Sequence, residues 1–401
     1  MSTINRQSGA VSLFVVIFAI LLMSVVTISF LRIMTNDQSQ ASGNDLAQSA
    51  YDSSQAGVED AKRALIWYSQ KCEVASPASG CAQFVSELNN CNSSIRTAGV
   101  VKTADIAGTA GGTGTGEVKV QQSSSVDAAG ESIDKALDQA YTCVTMQLNT
   151  DDYVGSLTPN ESVLVPLVGT SAFTTLTIEW FKQANLSDKT APVATPTPAG
   201  SQPLLDTWPT NRPSVMRTQF MQVGSTFKLS DFDTTTAASE SNTNTMFLYP
   251  ATNGFSNAVM VDRDSRKSPT GNSIPDTAGS TPLPSKCATS VSSTGYACKI
   301  TLQLPTAVNG GPAVTAYLRL TSLYAGSDYR VTLSGAQFKN VQPIVDATGR
   351  ANDVFRRVES RIDLYDTSFP YPDAAVDTTG NFCKDFSVTD APDYIAGSCT
   401  P

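Results

Sequence analysis

The stretch Gly9-Ala10-Val11-Ser12-Leu13-Phe14-Val15-Val16-Ile17-Phe18-Ala19-Ile20-Leu21-Leu22-Met23 opens a run that carries no charged residue from Ala10 to Leu31. Those 22 residues, at about 1.5 Å each in a helix, span roughly 33 Å, enough to cross a bilayer core of about 30 Å. Ser12, Ser24, Thr27 and Ser29 are tolerated there, because a helical hydroxyl can bond the carbonyl one turn back. No proline interrupts Arg32 to Tyr68, and Leu46, Ala50, Ser54, Val58, Ala61 and Leu65 recur at three- and four-residue steps along one stripe. The pattern predicts one helix over 10–70, apolar all round in its first half and one-sided in its second. A secretory signal peptide would have a shorter apolar region and a small-x-small cleavage site, and no convincing site follows Leu31. Arg6 precedes the apolar run, so the N-terminus is expected to stay cytoplasmic and the bulk of the chain to lie outside. The expectation is a single-pass membrane protein with an extracytoplasmic head.

Composition narrows the chemistry. The chain has 401 residues, enough for a sizeable core beyond the helix, and a net charge of −9. That acidity speaks against a nucleic-acid partner. Histidine is absent, which removes Ser-His-Asp, Cys-His and His-zinc sites. The eight cysteines (Cys72, Cys81, Cys91, Cys143, Cys287, Cys298, Cys383 and Cys399) all follow the apolar run. Their even number suits four disulfides in an oxidising compartment, and no pair has the C-x-x-C spacing of a metal site. Cys287–Cys298 and Cys383–Cys399 enclose ten and fifteen residues, and Ser293-Thr294-Gly295 supplies a turn within the first. The other four cysteines allow three pairings, of which Cys72–Cys81 across the helix end and Cys91–Cys143 are favoured.

The remainder reads as β-rich, giving an α+β chain. Residues 71–139 form a helix and loop subdomain, with a short helix expected from Cys81 towards Asn90, a loop over 98–116 and a further helical turn at 132–137. From about 140 the period becomes two-fold. Leu176, Ile178 and Trp180 alternate with Thr175, Thr177 and Glu179, and the runs at 298–304 and 316–321 alternate likewise. Further strands are expected near 141–149, 162–168, 214–222, 226–230, 245–249, 257–261, 329–334 and 354–365. Many short alternating strands point to antiparallel sheets with one buried and one solvated face, making 140–401 a β-rich head. In the last strand Val358, Ile362 and Leu364 oppose Arg357, Glu359, Arg361 and Asp363, a solvated face with cross-strand ion pairs. Six prolines (192, 196, 198, 203, 209 and 213) stiffen the segment 185–213. It either divides the head into two lobes or spans a long loop within one sheet.

No candidate for catalysis stands out. Ser132-Ile133-Asp134-Lys135 fits S-x-x-K, but neither S-D-N nor K-T-G follows it. Asp151-Asp152, Asp231-Phe232-Asp233 and Asp262-Arg263-Asp264 lack EF-hand spacing and read as solvated turns. Gly108 to Gly116 lacks the Lys-Ser/Thr of a phosphate loop. Neither cofactor nor metal is expected, and the chain is read as a non-enzyme.

The short polar leader ending in glycine, followed by an apolar helix that runs into an amphipathic one, resembles a type IV prepilin. Gln55-Ala56-Gly57-Val58-Glu59-Asp60-Ala61 is similar to the Gln-Ala-x-x-Glu-x-Ala pattern in the N-helices of many minor pilins. The resemblance covers about the first 65 residues. It implies a leader over 1–9, cut by a prepilin peptidase between Gly9 and Ala10, with other pilin subunits as partners. It also marks Phe14 and Glu59 as positions that bear on helix assembly. Major pilins carry a glutamate at the fifth mature position, which pairs with the amine of a neighbouring subunit; here that position is Phe14. The departure implies a minor, initiating or tip-located subunit with an adhesive role towards other cells, rather than a repeating one. The alternatives are a membrane-anchored extracytoplasmic binding or enzymatic domain, and a pseudopilin of a secretion or DNA-uptake system.

Overall fold

One helix, α1 (Gly9–Cys72), runs through the apolar stretch and the amphipathic stretch without a break. The computed structural model describes residues 9–101, 116–120, 138–195, 208–222, 243–253, 258–260, 283–310 and 316–365. Within these, α2 (Cys81–Ser86) and α3 (Ser93–Thr97) follow α1. Next come β1 (Val118–Lys119), β2 (Gln139–Thr150), β3 (Asp152–Leu157), β4 (Ser162–Pro166) and β5 (Phe173–Lys182). They are followed by β6 (Val215–Gln222), β7 (Thr243–Ala251), β8 (Ala258–Met260), β9 (Leu283–Cys287) and β10 (Tyr296–Val308). Last are β11 (Ala316–Leu323), β12 (Ser327–Leu333), β13 (Phe338–Ala351) and β14 (Val354–Arg361). The expected strand at 226–230 and helical turn at 132–137 lie outside the described residues, as do most of the expected loop and the residues after 365.

The strands form two sheets, one nested in the other. A four-stranded antiparallel sheet has the order β1-β2-β13-β14. A ten-stranded sheet runs β3-β12-β5-β10-β9-β7-β6-β11-β4, with β8 also pairing β10. The chain leaves the small sheet at Thr150, builds the large sheet from β3 to β12, and returns at Phe338, which is paired with Thr150. The large sheet is therefore an insertion between two neighbouring strands of the small one. Strands on both sides of the proline-rich segment, β5 and β6, belong to the same large sheet. That sheet is mixed rather than purely antiparallel, because β7 with β9 and β8 with β10 pair in parallel.

The large sheet encloses its own core. Leu176, Ile178 and Trp180 point inward as their alternation predicts, joined by Ile300, Leu302, Leu318, Leu320 and Val331. The buried indole N–H of Trp180 donates to the Ser214 carbonyl at 3.1 Å, so this donor is satisfied inside the core. On the outer face the hydroxyls of Thr177 and Thr301 meet at 2.9 Å, and Glu179 pairs with Arg330 at 2.5 Å.

The small sheet buries one face against the second half of α1. Ala50, Ser53, Ser54, Val58, Ala61, Ala64 and Leu65 are buried on that side of the helix. Their counterparts are Tyr141, Val144 and Met146 of β2, Val345 and Ala347 of β13, and the partly buried Val358 of β14. Ser53 and Ser54 turn their hydroxyls back to the carbonyls of Ser49 and Tyr51, at 2.9 and 2.6 Å, leaving no unpaired polar group towards the sheet. The contact is tightest at Gly349 of β13, where a Cβ would collide with backbone atoms of Ala50, Ser53 and Ser54. Opposite, a Cβ on Gly57 would come within 2.9 Å of Val144.

Strand β13 has no clear alternation in the sequence, because Pro343 and Gly349 interrupt it. The structure explains both. The register against β2 shifts between Lys339 and Ile344, a bulge in which Asn340 adopts a φ of 53° and Pro343 sits where no N–H is required. Expelled from the regular ladder, Gln342 accepts from the Val154 N–H at 3.0 Å and donates to the Val154 carbonyl at 2.9 Å. The bulge thus couples the two sheets, helped by the Arg361–Asp152 ion pair at 2.7 Å and by a bond from Asn340 to Glu73.

Two glycine substitutions separate packing from propensity. Gly349→Ala is expected to destabilise the folded body by about 2–3 kcal/mol, since rigid backbone lies where its Cβ must go. Gly43→Ala, in an exposed turn of α1 with nothing within 4 Å, is expected to be neutral or to stabilise by up to about 1 kcal/mol. Urea titrations of both in detergent micelles check this, and equal effects would refute the close contact.

Candidate membrane and assembly helix

From Leu13 to Met34 every large apolar side chain of α1 is exposed. This is the inverse of a soluble core helix, and the segment is long and apolar enough to cross a membrane. Its polar side chains are satisfied within the helix: Ser24 donates to Leu21, Thr27 to Met23 and Ser29 to Val25, at 2.8, 2.7 and 2.9 Å. Those internal bonds remove the cost of carrying hydroxyls through hydrocarbon. Phe14 is 73% exposed on this half. It offers a large apolar surface and no charge to whatever surrounds it.

Residues 35–45 form an exposed polar length of the same helix, beyond which the buried stripe begins. At about 1.5 Å per residue they hold the body roughly 16 Å from the apolar span. Glu59 lies on the exposed side of the seated half. Its neighbour Asp60 faces the sheet edge, accepting from the Tyr141 hydroxyl at 2.8 Å and pairing with Arg63 at 3.1 Å. Gly9 is the first described residue and is already helical, and residues 1–8 lie outside the described set.

The end of α1 is fastened covalently. Cys72–Cys81 ties its last residue to the first of α2, with Cα atoms 5.5 Å apart, and Cys91–Cys143 joins the α2–α3 segment to β2 at 4.5 Å. Aromatic packing reinforces this corner: Tyr68 stacks on Phe84 at 5.1 Å, with Trp67 tilted against the same ring. Cys287–Cys298 joins paired residues of β9 and β10, with Cα atoms 4.0 Å apart, and Gly295 N–H bonds the Ser292 carbonyl in the turn between them. Cys383 and Cys399 lie outside the described residues.

Other candidates do not converge on a site. Asp152 is bound to Arg361, and Asp151 accepts from Gln337 at 2.7 Å. Among the described residues no group of three or more His, Cys, Asp or Glu side chains could hold a metal. Ser132, Lys135, the loop residues 108–115, Asp231, Asp233, Asp262 and Asp264 lie outside those residues. The partners of the helix that sequence reading missed are Tyr141, Ala347 and Gly349. A glycine inside a strand-like run is the usual mark of close backbone approach, so Gly349 was the one available signal.

These features define an α+β protein with one helix long and apolar enough to span a membrane, its distal half built into an antiparallel sheet. No protein-family model, curated protein or solved structure matches the chain.

Peptide mapping without reductant is expected to recover the three pairs described here. Loop-closure entropy makes the 52-residue span of Cys91–Cys143 worth about 4 kcal/mol and the 11-residue span of Cys287–Cys298 about 3 kcal/mol. Urea titration of the Cys91→Ala/Cys143→Ala and Cys287→Ala/Cys298→Ala double variants should therefore give the larger loss for the first.

Proposed function

We propose that the protein is a minor pilin-like subunit of a type IV pilus-like filament. It is held in the membrane by α1 before assembly and acts at or near the filament tip, in a structural and adhesive role rather than as an enzyme. The observation that carries this reading is α1 itself: one unbroken helix, bare and apolar over its first half and seated on an antiparallel sheet over its second. Such a helix can exchange lipid for the apolar helices of neighbouring subunits without changing its own shape. Its partners on this reading are a prepilin peptidase acting between Gly9 and Ala10, the membrane, other pilin subunits and the surface of other cells.

The tip position follows from Phe14 and from bulk. An unpaired ammonium inside a dry helical bundle is costly, and a phenyl ring cannot neutralise it. Such a subunit is a poor link in an indefinite chain of its own kind. The ten-stranded insertion adds a large head that every repeat of a slim fibre would have to accommodate. The missing carboxylate at Phe14 equally suits a permanent anchor for an extracytoplasmic binding domain, and the two readings differ at the mature N-terminus.

N-terminal sequencing is expected to give Ala10, and Gly9→Leu is expected to block maturation. A mature protein that starts at Met1 or Ser2 would favour the permanent anchor. Immunogold labelling of sheared filaments should mark ends; dense label along the shaft would make the protein a repeating subunit despite Phe14.

A further inference from the structure

The large sheet begins at β3 and ends at β4, and these two strands are joined only by the turn 158–161. The sheet therefore rolls until its edges stand side by side, yet β3 and β4 are not paired. A groove of about 300 Å³ opens between them, floored by Tyr153, Leu157, Val163 and Tyr329.

Backbone alternation shows which groups face the groove. Arg361 donates to the Asp152 carbonyl and Gln342 bonds both backbone groups of Val154, all from the side away from β12. Ser156, two residues on, turns its N–H and C=O the same way. On β4 the bonds of Glu161 and Leu167 to β11 place Ser162, Leu164 and Pro166 outward, and Pro166 has no N–H to leave unmade. The Gln342 amide, accepting and donating at Val154, already acts as one peptide unit laid along the β3 edge. Glu161 and Asp363 line the groove as acidic groups, and the two cations beside it are engaged, Arg361 with Asp152 and Arg319 with the Ser162 hydroxyl and Gln219.

We propose that this seam binds an extended peptide segment of two to three residues bearing a lysine or arginine. The segment adds to the β3 edge at Ser156 through backbone bonds and sets its cationic side chain between Glu161 and Asp363. This holds whether or not the chain is a filament subunit.

The test is residue-resolved hydrogen exchange on the full chain in detergent micelles, with acetyl-Val-Lys-Val-amide as the probe. In the free protein the Ser156 and Ser162 amides should exchange at least about 100-fold faster than those of Gly155 and Val163, which face neighbouring strands. Millimolar peptide should slow Ser156 at least about tenfold. Acetyl-Val-Glu-Val-amide and the backbone N-methylated lysine peptide should not. Ser156→Pro removes only the outward N–H, so it should abolish the response while leaving urea stability within about 1 kcal/mol. Glu161→Gln/Asp363→Asn should weaken binding at least about fivefold, keeping the test open should the proline variant fail to fold. A Ser156 amide already protected in the free protein, or one unmoved by the lysine peptide, would overturn the proposal.

Discussion

A helix can approach a sheet only as closely as the side chains between them permit, and here that separation is set by residues with almost no side chain. Ala50, Ser53, Ser54 and Gly57 of the helix meet Val144, Ala347 and Gly349 of the sheet. At Gly349 the helix backbone lies directly on the strand. Dispersion attraction falls off steeply with gap width, so this fit maximises contact per residue where few large apolar side chains are available. It fixes α1 to β13, and hence everything that β13 organises.

Strand β13 lies between β2 and β14 in the small sheet, underlies the helix, and receives the chain returning from the large one. Its bulge sends Gln342 to β3 and Asn340 to Glu73 just past the end of α1. The insertion is joined to the small sheet at two adjacent points, Thr150 and Phe338, with the Arg361–Asp152 pair beside them. Displacement of the large sheet therefore acts on neighbouring strands of the sheet that seats the helix. The Cys72–Cys81 and Cys91–Cys143 bridges add a short covalent route from the helix end to β2, bypassing most of the chain between.

Periodicity made much of this legible. The apolar run and the stripe from Ala50 to Leu65 specify α1, and two-residue alternation specifies β5, β10 and β11 with Trp180 inside. β13 was hidden because bulges and close contacts demand residues that erase alternation: Pro343 inside a strand, Gly349 at the tightest point. The nesting was hidden for another reason. Local sequence records which face a strand buries but not which distant strand it pairs with, so nothing near Thr150 announces Phe338 as its partner. The proline-rich segment was open to two readings, a boundary between lobes or a loop within one sheet, and the shared sheet of β5 and β6 selects the second. The β3–β4 seam depends wholly on how the large sheet curls, which no window of residues encodes.

The central claim is that α1 belongs to the folded body from residue 50 to its disulfide-tied end, while the half before it does not. Native-state hydrogen exchange along α1 in micelles, followed through increasing urea, tests it most directly. The amides of 50–65 should lose protection together with those of β2 and β13, in one cooperative step, while 35–45 exchange earlier. Residues 50–65 opening with 35–45, at urea concentrations that leave β13 protected, would contradict the account.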